Sequence, residues 1–179
     1  MKNKTVECIF NEINNAKKIL IVSHVNPDGD TLGAMCALKL FIGKKADTLI
    51  QNLTGAPETY NFLPEINLSK NLNNVDDIYD LVICVDIAAI DRVVQKARWI
   101  FDNAKMTINI DHHKTNNGYA KINWIIPDAS SAGEVLFNML REQDVKITKE
   151  IAECLYVSIL TDTGGFRYEN TKPETLEAA

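Results

Sequence analysis

Three short apolar runs, each leading into a side chain that can bind a metal, constrain this chain more than any other feature. Ile19-Leu20-Ile21-Val22 leads through Ser23 into His24, Leu81-Val82-Ile83-Cys84-Val85 into Asp86, and Met106-Thr107-Ile108-Asn109-Ile110 into Asp111-His112-His113. Uncharged runs of this length read as strands buried on both faces, as in a parallel sheet covered by helices. The carboxyl ends of such strands share one edge, where open α/β sheets place their ligands. Residues distant in sequence can therefore converge there.

The loop after the first run reads His24-Val25-Asn26-Pro27-Asp28-Gly29-Asp30-Thr31-Leu32-Gly33. Pro-Asp-Gly is a turn signal, and Thr31 can cap a helix beginning near Leu32, with Gly33 permitting close approach of another backbone. In a locally extended backbone Asp28 and Asp30 face the same way, roughly 6.5–7 Å apart. That span suits two cations about 3.5–4 Å apart. For this loop alone, an Asx turn with a solvated acid and an unrelated histidine is an equally good reading.

Between these landmarks the chain alternates helices and strands. Val6, Ile9, Phe10, Ile13 and Ala16 give an amphipathic helix from about Asn3 to Lys18. A helix over Leu32–Phe41 is apolar on most sides and so should be well buried. Asp47–Gln51 reads as a second strand, and Leu53–Asp77 as a loop with short helical turns. The third strand spans Asp80–Asp86, a helix follows over Asp91–Phe101, and the fourth strand is Met106–Ile110. Lys121–Ile126 is a short fifth strand. Ala132, Val135, Leu136, Met139 and Leu140 mark a helix capped by Ser130 or Ser131. Another helix runs from Thr148 to about Thr161. The expected fold is a three-layer α/β/α domain with a mostly parallel five-stranded sheet.

The 179 residues suffice for one domain with a sizeable core, or a domain and the beginning of another. A helix starts at Thr171-Lys172-Pro173-Glu174, and the sequence ends at Ala179 after about two turns, as expected of a truncated chain. The N-terminus, with Lys2, Lys4, Glu7, Glu12, Lys17 and Lys18 among apolar residues, is not a signal peptide, and no run is long enough to span a membrane. A cytoplasmic protein is expected. Cys8, Cys36, Cys84 and Cys154 are scattered through apolar segments without a Cys-x-x-Cys pair, so buried reduced thiols are expected. A formal net charge of −5 argues against a broad duplex-binding surface but leaves phosphate substrates open, because bound cations reverse the local sign.

All three histidines, His24, His112 and His113, lie at or just beyond strand ends, with Asp28, Asp30, Asp86 and Asp111 in comparable places. Four clustered aspartates repel one another unless cations neutralise them. Mixed carboxylate and imidazole donors suit manganese best, with magnesium, cobalt or zinc also able to bind. Taken singly, Asp86 reads equally well as a helix N-cap, and the paired histidines as surface residues. The joint pattern favours metal.

His24-Val25-Asn26-Pro27-Asp28-Gly29-Asp30, Asp86 within Val85-Asp86-Ile87, Asp111-His112-His113 and Leu160-Thr161-Asp162-Thr163-Gly164-Gly165-Phe166-Arg167 together resemble the DHH phosphoesterases. Within that group the chain looks like the branch of NrnA-like oligoribonucleases, or nanoRNases, which also act as pAp phosphatases. The resemblance implies two divalent ions, Mn2+ foremost and Mg2+ or Co2+ as substitutes. One would take His24, Asp28 and Asp86. The other would take Asp30, Asp86, His112 and Asp162, with Asp86 bridging. His113 would face the scissile phosphate, and Asp111 would orient the histidines from behind. A hydroxide activated by two metals would attack phosphorus, with Asp86, Asp111 and His113 serving catalysis.

Arg167 is a candidate phosphate-binding side chain beside His113, its alternative being a surface arginine next to Phe166. Arg92 recurs in the family's second motif but needs no special explanation at the start of a solvated helix. Complete family members carry a second, DHHA1 domain that binds substrate through a glycine-rich motif with a histidine, and that motif is absent from these residues. The expected partners are short single-stranded oligoribonucleotides or small nucleotides, with no membrane and no duplex surface, and a homodimer is compatible with the resemblance. A cyclic-dinucleotide phosphodiesterase and a non-catalytic nucleotide-binding module are the alternatives. A RecJ-like exonuclease is disfavoured by the short acidic chain, and a pyrophosphatase of the superfamily by Asp162–Arg167.

Overall fold

A computed structural model describes residues 3–76 and 78–179 of the chain. Five strands, β1 (Ile19–Val22), β2 (Ala46–Leu49), β3 (Leu81–Val85), β4 (Met106–Asp111) and β5 (Ile122–Ile125), form one sheet in the order β2-β1-β3-β4-β5. Every pairing is parallel, so the sheet is wholly rather than mostly parallel. The helices are α1 (Lys4–Asn15), α2 (Gly29–Ile42), α3 (Gln95–Asn103), α4 (Ala132–Glu142), α5 (Lys149–Asp162) and α6 (Pro173–Ala178).

The period-two alternation of the strands divides the core between two unequal layers. Ile19, Ile21, Ile83, Val85, Ile108 and Ile110 pack with apolar residues of α1, α2, α4 and α5. Leu20, Val22, Val82 and Cys84 pack with α3 and with Val75 and Tyr79 of the long loop. Helix α2 is sandwiched between the sheet and α5, and its residues Gly29 to Leu38 are all buried. This explains why it is apolar on nearly every side. Gly33 permits the contact: a Cβ there would stand 2.4 Å from the Cys154 carbonyl oxygen and 2.9 Å from the Ser158 nitrogen.

After β1 the chain crosses by α2 on the thick layer, whereas after β3 it returns through α3 on the thin one. The connections therefore diverge between β1 and β3, the switch point at which a parallel sheet opens a crevice at its carboxyl edge. No helix among the described residues is long and apolar enough to cross a membrane.

Several expected boundaries move for identifiable reasons. Helix α2 begins at Gly29, capped by Asp28 rather than Thr31, because the Asp28 carboxylate accepts from the Asp30 and Thr31 nitrogens. The expected helix over Asp91–Phe101 is split: a 3-10 turn covers Ile90–Arg92, and α3 starts at Gln95 after the extended Val93 and Val94. Helix α1 stops at Asn15 because Ala16 is already extended. Ser131 and Thr148 cap α4 and α5. The loop expected over Leu53–Asp77 contains two 3-10 turns, Glu58–Tyr60 and Ile66–Leu68, and Asp77 itself lies outside the described residues, as does Lys2. Cys36, Cys84 and Cys154 are buried free thiols, whereas Cys8 is exposed on α1, off the buried stripe of Val6, Ile9 and Ile13.

Candidate metal centre

The β1–α2 loop delivers two carboxylates by different routes. Asp28 caps α2 through Oδ1, which accepts from the nitrogens of Asp30 (3.1 Å) and Thr31 (3.2 Å). Its Oδ2 is left facing His24 Nε2 at 3.7 Å. Asp30 lies in the first turn of α2 and points toward the start of α4. There it accepts from the nitrogens of Ala132 (2.9 Å) and Gly133 (3.2 Å) and from the Ser158 hydroxyl. The expected extended spacing of the pair is thus replaced by a helix start, which sends the two carboxylates to different partners.

Asp86 sits between them. Its backbone adopts the left-handed conformation (φ 57°), which suits aspartate better than most residues, and its nitrogen donates to the Ile110 carbonyl at 3.0 Å. No helix starts at Asp86: the next turn, Ile90–Arg92, is preceded by Ala89, so the N-cap reading fails. The Asp86 side chain is 4% exposed, with Oδ2 3.5 Å from His24 Nε2 and Oδ1 3.6 Å from His112 Nε2. His112 Nε2 also lies 3.4 Å from Asp30 Oδ2 and 3.7 Å from Asp162 Oδ2. Thus His24, Asp28 and Asp86 form one group of close donor atoms, Asp30, His112 and Asp162 a second, and Asp86, Asp111, His112 and His113 a third that links them.

These separations are too long for good hydrogen bonds. They match two donors each about 2.1 Å from one ion at a near-tetrahedral angle, which stand about 3.4 Å apart. Asp86 Oδ1 is buried and has no hydrogen-bond partner. A buried, unpaired carboxylate oxygen is costly, and a cation would satisfy it. The imidazoles are oriented for the same purpose. Nδ1 of His24 meets the Val25 carbonyl at 2.8 Å and Nδ1 of His112 the Ala129 carbonyl at 3.3 Å. As donors to carbonyls, these nitrogens leave Nε2 to carry the lone pair.

The electrostatics without ions point the same way. Burial alone would depress the His24 pKa, but the carboxylates of Asp28 and Asp86 outweigh it and push the value up to about 10. His112 is likewise pushed up to about 9, burial being overcome by Asp86, Asp30 and Asp162. Asp30 is held well above the usual carboxylate range by burial and by the charge of Asp86, and Asp162 is raised chiefly by burial. The cluster thus holds protons where cations would go.

Behind this cluster, His113 Nδ1 donates to Asp111 Oδ1 at 2.8 Å and lies 3.5 Å from Asp86 Oδ1. The Asp111 hydrogen bond raises the His113 pKa. For fully buried Asp111, the desolvation penalty is overcome by His113 and by Asn116, whose amide donates to Asp111 Oδ2 at 2.6 Å, so its pKa falls. Asn116 also donates to Asn109 and to the Ile87 carbonyl. Sequence reading missed Asn116, Ser158 and Gln51; the last bonds Ser23, Arg92 and Val94 across the exits of β1 and β3. No motif marks these residues, because their partners are distant in sequence and several are backbone atoms.

Asp162, the last residue of α5, lies in the cluster. Arg167 does not join it: the exposed side chain donates from Nε to the Gly164 carbonyl at 2.8 Å. Arg92 contributes its backbone carbonyl, accepting from the Val25 nitrogen and from Gln51, while its side chain is exposed.

The DHH family, N-terminal domain, matches residues 18–159. The chain is 32% identical over 161 residues to the probable bifunctional oligoribonuclease and PAP phosphatase NrnA of Streptococcus mutans, covering 88% of this chain and 49% of that protein. It is 32% identical over 165 residues to the bifunctional oligoribonuclease and PAP phosphatase NrnA of Thermus thermophilus, covering 90% and 48%. Among solved structures, an exopolyphosphatase-related protein from Bacteroides fragilis superposes with a TM-score of 0.87 at 26% identity, covering 97% of this chain and 54% of that one. The chain spans about half the length of the curated relatives it matches. With a matching domain over most of its length and the same fold in a solved relative, the chain belongs to the DHH family.

Proposed function

We propose that residues 1–179 form the catalytic domain of a two-domain, divalent-metal-dependent phosphoesterase that hydrolyses short oligoribonucleotides or 3'-phosphoadenosine 5'-phosphate. The observation that carries this reading is Asp86, a buried carboxylate with an unpaired oxygen, which belongs to two groups of metal-competent donors and lies beside a third. His24, Asp28 and Asp86 would hold one ion, and Asp30, Asp86, His112 and Asp162 the other. The oxygen- and imidazole-rich donor set, without thiolate, favours Mn2+, with Mg2+ or Co2+ as substitutes. When bound, such a pair supplies a water acidic enough to ionise near neutral pH and positive charge beside the phosphoryl group.

The chain's own groups do the rest. Asp111 orients the His113 imidazole through Nδ1 and favours its protonated form, from which Nε2 can donate to a phosphate or leaving-group oxygen. Arg167 keeps only Nε on the Gly164 carbonyl, so its two Nη groups would be the ones to fork onto a phosphate oxygen when substrate binds. The names of the NrnA relatives support the substrate class, and the resemblance assigns substrate selection to a DHHA1 domain.

The test is hydrolysis of a 5'-labelled diribonucleotide, of pAp and of a cyclic dinucleotide by the full-length protein with Mn2+. Asp86→Asn, which keeps shape and backbone conformation, serves as the control. Turnover of the first two that disappears in Asp86→Asn and with chelator is the expected result. Equal rates in wild type and Asp86→Asn refute the reading. Turnover of the cyclic dinucleotide alone moves the substrate class.

A further inference from the structure

The donors nearest the second ion position come from three separate elements: Asp30 from α2, His112 from the end of β4 and Asp162 from the end of α5. A fourth element supports two of them. Residues 128–133, the loop after β5 and the start of α4, offer the Ala129 carbonyl to His112 Nδ1 and the Ala132 and Gly133 nitrogens to Asp30. The position of this segment relative to Asp162 therefore sets the spacing of these donors, and one side chain spans that gap. The Asn170 amide nitrogen donates to the Ser130 carbonyl at 2.9 Å and to the Asp162 carbonyl at 3.1 Å, and it lies 3.5 Å from Asp162 Oδ2.

We propose that Asn170 is a positioning residue for the second metal position, clamping Asp162 to the 128–133 segment; this rests on the metal-dependent reading of the site. All three partners of its nitrogen are oxygens, so the amide can be oriented only one way. In that orientation its own Oδ1 is buried without a hydrogen-bond partner, an arrangement that calls for a reason. Pinning a carboxylate at the C-terminal end of a helix is such a reason, because the helix dipole repels Asp162 there. The clamp is itself anchored. Buried Glu134 accepts from the Ser130 nitrogen and hydroxyl and from the Thr175 hydroxyl, and Lys172 Nζ donates to the Asp128 carbonyl. Asn170 and Lys172 thus grip the segment directly and Thr175 through Glu134, with none of these atoms among the candidate metal donors.

The experiment is a Mn2+ titration of wild type, Asn170→Asp and Asn170→Ala, followed by calorimetry and by the electron paramagnetic resonance signal of the coupled Mn2+ pair. Asn170→Asp is isosteric but turns an acceptor toward three oxygens. Asn170→Ala adds no charge and decides the question if the aspartate variant does not fold. Wild type should bind two ions. Both variants should keep the first affinity and lose about 10–100-fold in the second, with the coupled signal missing when the first position is saturated. Two ions bound as in wild type, or equal weakening of both, overturns the role of Asn170. A wild-type chain that binds fewer than two ions overturns the metal reading itself.

Discussion

Gly33→Ala probes the contact on which both the core and the candidate site depend. Helix α2 carries Asp30, and α5 carries Asp162 and Ser158, the hydroxyl donor to Asp30. A Cβ on residue 33 would sit 2.4 Å from the Cys154 carbonyl oxygen, 2.9 Å from the Ser158 nitrogen and 3.0 Å from the Ser158 Cβ. Ordinary contact begins near 3.4 Å, so the helices must separate by about 1 Å locally. Two of these atoms are helix backbone and cannot swing aside, which puts the overpacking cost near the upper end of 1–3 kcal/mol, about 3 kcal/mol. The better helix propensity of alanine returns about 1 kcal/mol, leaving a net loss of about 2 kcal/mol. For a chain of this size that lowers Tm by about 4–8 °C. Thermal unfolding of metal-free protein reads the first effect. A Mn2+ titration reads the second: displacing Asp30 from Asp162 should weaken the second ion by about 10-fold or more. An unchanged or raised Tm with unaltered Mn2+ affinities would refute the claim that this contact sets the site.

Two further outcomes are expected. His24 at about 10 and His112 at about 9 stand above their ordinary value of 6.5, so metal-free protein carries this stabilisation in full below pH 6.5 and loses it as pH rises through 9 to 10. Because each ion must displace at least one such proton, Mn2+ affinity at each position should rise about tenfold or more per pH unit between about pH 6 and 8; calorimetry in buffers of different ionisation enthalpy should count at least one proton released per ion, and none released would contradict the assignment. Ser158→Ala removes the side-chain donor from buried Asp30, so urea unfolding should show a loss of about 1–3 kcal/mol, and a neutral result would show that the Ala132 and Gly133 nitrogens suffice.

The fold was legible because its three central strands are built on uncharged runs separated by helical periodicity, and the convergence of His24, Asp86 and His112 was legible because parallel strands share one carboxyl edge. What was lost followed from backbone chemistry that side-chain patterns do not encode. Asp28 and Thr31 both qualify as caps, and only the path of β1 decides that Asp28 is used. Val93 and Val94 leave an apolar pattern unbroken while adopting extended conformations that break the helix. Asn116 and Asn170 look like ordinary loop asparagines, because what distinguishes them is a set of distant oxygens.

The left-handed turn at residue 86 restricts what can be learned by substitution there. Alanine, the usual choice for deleting a carboxylate, would be forced into a conformation costing roughly 1–2 kcal/mol, so a dead Asp86→Ala protein would confuse a misfolded strand exit with a missing ligand. Glycine would relieve that strain but free the chain to wander, and glutamate would carry its charge past the nitrogens of His24 and His112. Only asparagine separates geometry from charge at this position.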